Sequence, residues 1–298
     1  QALQLNVHFT VEQRGRMAGG MLLQFNGTAG VWRRKAIEDA GGWEADTLTE
    51  DFDLSIRAQL KGWKIKFLEE IGSPAELPVE MNALKSQQFR WMKGGAETAK
   101  KMLPVVWHSP LSRWKKFHAT MHLLGSTIFL FVLTASIASV PLLYFLGELI
   151  AGGFNKNSFA YFMIGMLSII SIYYVANLQS EAQRKNEPFS KSVYRFILHF
   201  PLFLSLSMGM ALHNSRAVLQ GYLGKKSAFV RTPKFNILDK KQDSVKGKYM
   251  MRKLEWTTIG EGLLALYFLG AVALAFYVQN TTFLVFHLML AFGYSTIF

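Results

Sequence analysis

Two clusters in the first third of this 298-residue sequence carry side chains suited to chemistry. Thr49-Glu50-Asp51 lies in the run Thr47-Leu48-Thr49-Glu50-Asp51-Phe52-Asp53, which offers carboxylates able to accept a proton. Thr47 with Glu50 matches a capping box, and Thr49 is a second candidate N-cap, so a helix is expected from there to Lys61, closed by Gly62. Acids in a first helical turn also complement the helix dipole, so position alone does not separate a catalytic from a structural role. The second cluster is Gln87-Gln88-Phe89-Arg90-Trp91, inside a stretch, 78–103, that suits a helix. Gln87, Arg90 and Trp91 stand at i, i+3 and i+4 and project from one face. A guanidinium fork suits a diphosphate, and an indole can stack on the apolar face of a sugar; the same pair also suits a membrane boundary.

The elements that must position these clusters read as follows. In residues 1–11, Leu3, Leu5, Val7, Phe9 and Val11 alternate with polar residues, the period of a strand. Asn26-Gly27-Thr28-Ala29-Gly30 is turn-prone, 33–40 looks helical up to Gly41-Gly42, and Trp63, Ile65 and Phe67 alternate with Lys64 and Lys66 as a second strand. Asn26-Gly27-Thr28 also matches a glycosylation sequon, a weak signal. There is no cysteine, so neither a disulfide framework nor a thiolate ligand or nucleophile is available.

The remainder is apolar. No Asp, Glu, Lys or Arg lies between Lys116 and Glu148, between Lys156 and Glu181, or after Glu261. A spanning helix needs about 20 apolar residues, so spans are expected near 119–146, 158–179, 261–278 and 283–298. The formal charge of +13 gathers beside these stretches. Residues 85–116 carry eight Lys/Arg against one acid, and 214–256 carry eleven against three. The positive-inside rule accounts for that charge and puts both basic segments, and the carboxylate side, in the cytosol; nucleic-acid binding is set aside. The segment 192–222 has basic flanks and includes Pro201, which favours an interfacial or re-entrant helix over a true span. A transporter or scaffold would place ionisable residues within its spans, and almost none stand there beyond His118, His122 and His287.

Taken together, Phe25-Asn26-Gly27-Thr28, Thr49-Glu50-Asp51 and Gln87-Gln88-Phe89-Arg90-Trp91, in that order and ahead of paired spans, resemble the processive family 2 glycosyltransferases, which include cellulose, hyaluronan and chitin synthases. The run Phe25-Asn26-Gly27-Thr28-Ala29-Gly30-Val31-Trp32-Arg33, with Ala40-Gly41-Gly42-Trp43 and Glu76-Leu77-Pro78, is most similar to the cellulose synthase-like A group, the mannan and glucomannan synthases. Phe229-Val230-Arg231-Thr232-Pro233-Lys234 resembles the family's gating loop, with Arg231 where the family usually has Val.

The resemblance implies the last part of a GT-A-type α/β domain (1–78), amphipathic interfacial helices carrying the Gln-x-x-Arg-Trp motif (79–116), and a helical membrane domain of about four spans (117–298), with a gating loop at 229–235. It implies a helix rather than a strand at the N-terminus, and it places the upstream half of the catalytic domain, with the first membrane helix, outside this chain. The chain alone is then expected to be inactive. Asp51 would be the general base, with Glu50 and Thr49 supporting it. Arg90, Gln87 and Gln88 would meet the donor diphosphate; Trp91, Asn26, Gly27 and Thr28 the acceptor; Phe229, Thr232 and Lys234 would close over the nucleotide. A divalent cation, Mg or Mn, is implied, its ligands upstream and none in this chain. The expected partners are a GDP or UDP sugar, the growing β-linked glucan, mannan or glucomannan, and the bilayer. The rival is a non-processive transferase acting on a lipid.

Overall fold

The computed structural model describes residues 1–27, 29–153, 157–178, 188–230 and 255–298. Thr28, Thr232 and Lys234 lie outside them. The described residues are helical or irregular, with no strand among them.

The N-terminal segment is one continuous helix, α1, made of Ala2–Asn6, a π section Val7–Gln13, and Arg14–Ala18. The strand expected from period 2 is therefore corrected, and the helix implied by resemblance is present. Strict alternation contains every i, i+4 pair, so Leu3, Val7 and Val11 also satisfy a helix. The second expected strand is corrected too. Residues 63–67 have no partner strand among the described residues; the Phe67 ring stacks on Phe9 at 6.3 Å. Helix α2 is Arg34–Asp39, and its exit turns on Gly41 and Gly42, both at positive φ that other residues resist.

Helix α3, Glu50–Leu60, carries the first carboxylate cluster at its N-terminus. Helix α4, Met81–His108, carries the second motif and runs through Pro104, beyond the expected stop at 103. Leu22, Phe52, Ile56, Ala99, Met102, Val106, Ala119 and Leu123 bury together and weld α3 and α4 to α5, Arg113–Leu123. Near this core Lys101 Nζ joins Glu44 (2.6 Å), Asp46 (2.9 Å) and the fully buried Asp53 (3.1 Å).

A short 3₁₀ turn, Leu124–Thr127, leads from α5 into α6, Ile128–Ala151. The next helices are α7 (Asn157–Leu178), α8 (Phe189–Gly209), α9 (Ala211–Tyr222), α10 (Trp256–Tyr277) and α11 (Leu284–Ile297). Among the described residues, Arg113–Ala151 and Trp256–Tyr277 are long and apolar enough to cross a membrane, and α8 with α9, bent by 48°, forms a third candidate as a broken span or re-entrant loop. Their exposed side chains include Phe131, Ile137, Leu263, Leu266 and Leu269, as suits contact with lipid. Ile164–Leu178, within α7, and α11 are shorter apolar stretches, so among the described residues two to three helices are long and apolar enough, against four spans expected.

Backbones approach closely where the membrane helices meet the motif helix. A Cβ at Gly221 of α9 would lie 2.6 Å from the Lys93 carbonyl oxygen of α4. Lys85 of α4 pairs with the buried Glu261 of α10 at 2.6 Å and donates to the Ile297 carbonyl of α11 at 2.8 Å. A buried carboxylate persists only when paired in this way. Helix α4 is thereby fixed on one side to the carboxylate helix and on the other to the apolar bundle.

Candidate active site

The segment from Leu23 to Asn26 runs alongside α3 and ends in a turn at Gly27. Gln59 bonds the Leu23 backbone in both directions (2.9 and 2.7 Å), Ser55 Oγ accepts from Phe25 N–H (2.8 Å), and Asp51 Oδ2 accepts from Gly27 N–H (2.6 Å). The rungs take every second residue of the segment and every fourth of the helix. Two extended residues advance roughly 6.7 Å and four helical ones about 6 Å, so the two periods stay in step. Gly27 sits at φ +63, and this left-handed turn aims its N–H at the carboxylate.

Asp51 heads α3 and is partly buried. Its Oδ1 accepts from Phe52 N–H at 2.8 Å and its Oδ2 from Gly27. A carboxylate offers about four lone-pair sites, more than the neighbouring N–H groups fill, so the group can still receive a proton. Burial pushes its pKa up, bonds from the Phe52, Gly27 and Asp51 N–H groups pull it down, the Glu50 charge adds to the rise, and the net direction is upward. The expected cap differs in detail. Thr49 occupies the N-cap position, but its hydroxyl bonds Thr98 Oγ1 at 3.1 Å instead of the helix, and the buried Thr47 hydroxyl has no partner among the described residues. Leu48 N–H donates to Glu97 Oε2 at 2.8 Å, and Gly94 makes room for Thr49, from which a Cβ would stand 2.6 Å away.

Arg90 lies within electrostatic reach of Glu50 and Asp51, whose charges favour its cationic form against burial. Its guanidinium sits 4.6 Å over the Phe229 ring and donates to the Val230 carbonyl at 3.2 Å. The basic residues on this face of α4 strap down the segment leading to Phe229. Lys100 donates to the Tyr222 carbonyl (2.8 Å), and the buried Lys93 donates to the Lys225 carbonyl and to Ser227 Oγ (2.6 Å). Residues 90, 93, 97 and 100 form one helical stripe. Sequence reasoning missed Lys93, Glu97 and Lys100. Their spacing is visible in the sequence, but their partners lie up to 134 residues away.

Asn26 and Gly27 are thus brought to Asp51, and Phe229 to Arg90. Gln87 is tied instead to Gln1 (2.5 Å), Gln88 is buried, and Trp91 is partly exposed one residue beyond Arg90.

The family described as "Glycosyl transferase family group 2" matches residues 1–176, more than half of the chain. The chain belongs to that family. Over 119 residues it is 45% identical to the protein named glucomannan 4-beta-mannosyltransferase 1 of Oryza sativa subsp. japonica, a match covering 40% of this chain and 23% of that relative. It is 42% identical over the same length to glucomannan 4-beta-mannosyltransferase 7 of Arabidopsis thaliana, covering 40% and 21%. The matched segment therefore spans less than a quarter of these relatives. No solved structure matches this chain.

Glycosyltransferases of family 2 imply a divalent cation, and Glu44, Asp46 and Asp53 are the one acidic group among the described residues that gathers closely enough to hold one. They do not fit it. The Lys101 ammonium already bonds all three, and Asp53 Oδ2 also receives Arg57 Nε at 2.8 Å. The three acids hold Lys101's pKa up against the effect of burial, the mark of an internal ion cluster.

Proposed function

We propose that this chain carries the acceptor-side half of a membrane-embedded, inverting and processive glycosyltransferase. That enzyme extends a β-linked mannan, glucomannan or glucan from a GDP or UDP sugar on the cytosolic face, and the membrane helices carry the product across. The single observation that carries the reading is the Asp51 carboxylate. It heads α3, is held by Gly27 and Phe52 N–H groups, is pushed toward basicity by burial, and has Arg90 within reach of its charge.

One carboxylate suffices for this chemistry, because the nucleotide diphosphate is itself the leaving group. Asp51 takes the proton from a hydroxyl at the non-reducing end of the acceptor. That oxygen bonds the donor's anomeric carbon as the bond to the diphosphate breaks, and the electron pair leaves with the diphosphate. Attack opposite the leaving group inverts the centre. A base whose pKa is raised toward the working pH is the better proton acceptor. Arg90 offsets charge growing on the diphosphate, with Gln87 and Gln88 bordering it. Trp91 stacks on the terminal acceptor sugar beside Asn26, Gly27 and Thr28. Glu50 and Thr49 support Asp51. Phe229, Thr232 and Lys234 belong to a loop that closes over the nucleotide, and Phe229's place on Arg90 supports that role.

The bounds 1–78, 79–116 and 117–298 mark the proposed remainder of a GT-A domain, the motif helices, and a membrane domain of about four spans. A polysaccharide cannot enter hydrocarbon without losing its hydrogen bonds, which favours coupling synthesis to a protein-lined path. The relatives' names favour mannosyl transfer to O4. The whole enzyme containing this chain, given labelled GDP-mannose, GDP-glucose or UDP-glucose in turn, should make long polymer from at least one donor, digestible by an endo-β-1,4-mannanase or glucanase. A product of one or two sugars on lipid would establish the rival reading instead.

A further inference from the structure

The even-numbered side of the segment along α3 is held by α1. Gln13 Nε2 donates to the Gln24 carbonyl at 2.5 Å, and Gln13 Oε1 accepts from Gln24 N–H at 3.4 Å. His8 Nε2 bonds Asn26 Oδ1 at 2.9 Å, while its Nδ1 bonds Glu12 Oε2 at 3.1 Å. All three α1 residues lie in the π section Val7–Gln13. Hydrogen bonds from i to i+5 widen the turn of a π-helix, so residues five apart fall on one face. In an α-helix they would diverge by about 140°, at 3.6 residues per turn. The π section therefore lets His8 and Gln13 grip Asn26 and Gln24 from one face. On the opposite side, α3 holds residues 23, 25 and 27.

Glu12 completes the arrangement. Burial pushes its pKa up, but the His8 bond and the Arg16 charge prevail and bring it down, so it is an anionic acceptor for His8 Nδ1–H. With Nδ1 so fixed, Nε2 faces Asn26 either as a donor to Oδ1 or, with the amide turned, as an acceptor from Nδ2. Either arrangement ties His8 to Asn26. The residue after Asn26 is Gly27, whose N–H holds Asp51. Gln13, which sequence periodicity leaves as one more polar residue, is 1% exposed.

We propose that His8 is a positioning residue for sugar transfer: braced by Glu12, it holds the Asn26–Gly27 turn so that Gly27 N–H fixes the orientation of the Asp51 carboxylate. The proposal rests on the reading of Asp51 as the base. His8 touches neither donor nor reacting atom; it acts through Asn26 and Gly27. Its loss should leave diphosphate binding intact and degrade the proton-transfer geometry.

The test uses the whole enzyme, with kcat and donor KM measured separately for His8→Ala, His8→Gln, Asp51→Asn and the His8→Ala/Asp51→Asn pair. Misplacement on the ångström scale lowers rates up to about 100-fold, so His8→Ala should cut kcat by about 10- to 100-fold with donor KM within about 2-fold. The Gln amide can donate to Asn26 Oδ1, so His8→Gln should recover most of that loss, and the double variant should be no slower than Asp51→Asn alone. An unchanged kcat in His8→Ala beside an inactive Asp51→Asn overturns the proposal and leaves the base assignment standing. Equal losses in Ala and Gln, accompanied by a lower yield of folded enzyme in detergent, overturn it in favour of a purely structural role. If Asp51→Asn itself retains transfer, the base assignment fails first.

Discussion

Asp51→Asn is expected to lower the rate of sugar transfer by about 1,000-fold or more, the upper part of the range for removing a positioned base. Membrane insertion and donor affinity should be unchanged. Asn is nearly isosteric, and its carbonyl oxygen can keep one of the two N–H bonds that Asp51 receives from Gly27 and Phe52. It cannot take a proton at any working pH. Arg90 loses the support of the Asp51 charge, but a guanidinium stays protonated at any working pH, so the cation that would meet the diphosphate is kept. The loss should therefore appear in kcat and not in donor KM, read from initial rates and nucleotide binding on one preparation. Substantial residual polymerisation would remove Asp51 from the mechanism.

Gly293→Ala should be the most damaging single methyl in the bundle. An added Cβ at Gly293 of α11 would overlap the Ser205 carbonyl oxygen of α8, closer than any real contact. Facing it, a Cβ at Gly209 would stand 2.5 Å from the Gly293 carbonyl carbon. Helix pairs in membranes approach this closely only through small residues. The obstructing atoms are backbone and cannot rotate away, so a cost of about 3 kcal/mol is expected, the upper end for overpacking. Gly270→Ala in α10 is the control, because nothing among the described residues lies within 4 Å of its added Cβ. It should be neutral or stabilise by up to about 1 kcal/mol through helix propensity. Thermal unfolding in detergent separates the two. Similar melting for Gly293→Ala and Gly270→Ala would contradict the close approach of α8 and α11.

Much of the local structure was legible in the sequence, because local rules set it. Gly41-Gly42 and Gly62 end helices where expected, and the charge-free stretches match α6, α7, α10 and α11. The two strand readings failed for different reasons. Residues 1–11 alternate, but alternation also supplies i, i+4 pairs, and α1 is clamped to α4 through Gln1–Gln87 and to α7 through Asn6–Asn177 (2.9 Å). Residues 63–67 alternate as a strand would, but a strand needs a partner ladder, which no local pattern can provide. At the site, Asp51, Arg90 and the Asn26–Gly27 turn could be picked out because unusual residue types fall close together. The hold of Lys93 on the segment before Phe229, and the pairing of Lys85 with Glu261, depend on contacts 132 and 176 residues apart. Thr47 and Glu50 matched a capping box, yet Thr98, Glu97 and Gly94 of α4 took over the neighbourhood of that cap, a case of tertiary packing overriding a local motif.

The central claim is that one partly buried carboxylate, Asp51, takes the acceptor's proton. It is tested most directly by kcat/KM for transfer as a function of pH in the wild-type enzyme and in the residual activity of Asp51→Asn. Only the ionised carboxylate can act as base, and burial raises its pKa despite the N–H bonds it accepts. The wild-type rate should therefore fall as pH drops through a value above the usual aspartate range, and this acid limb should be absent from the residual rate of Asp51→Asn. The same limb in both proteins would assign the proton transfer to another group and contradict the account.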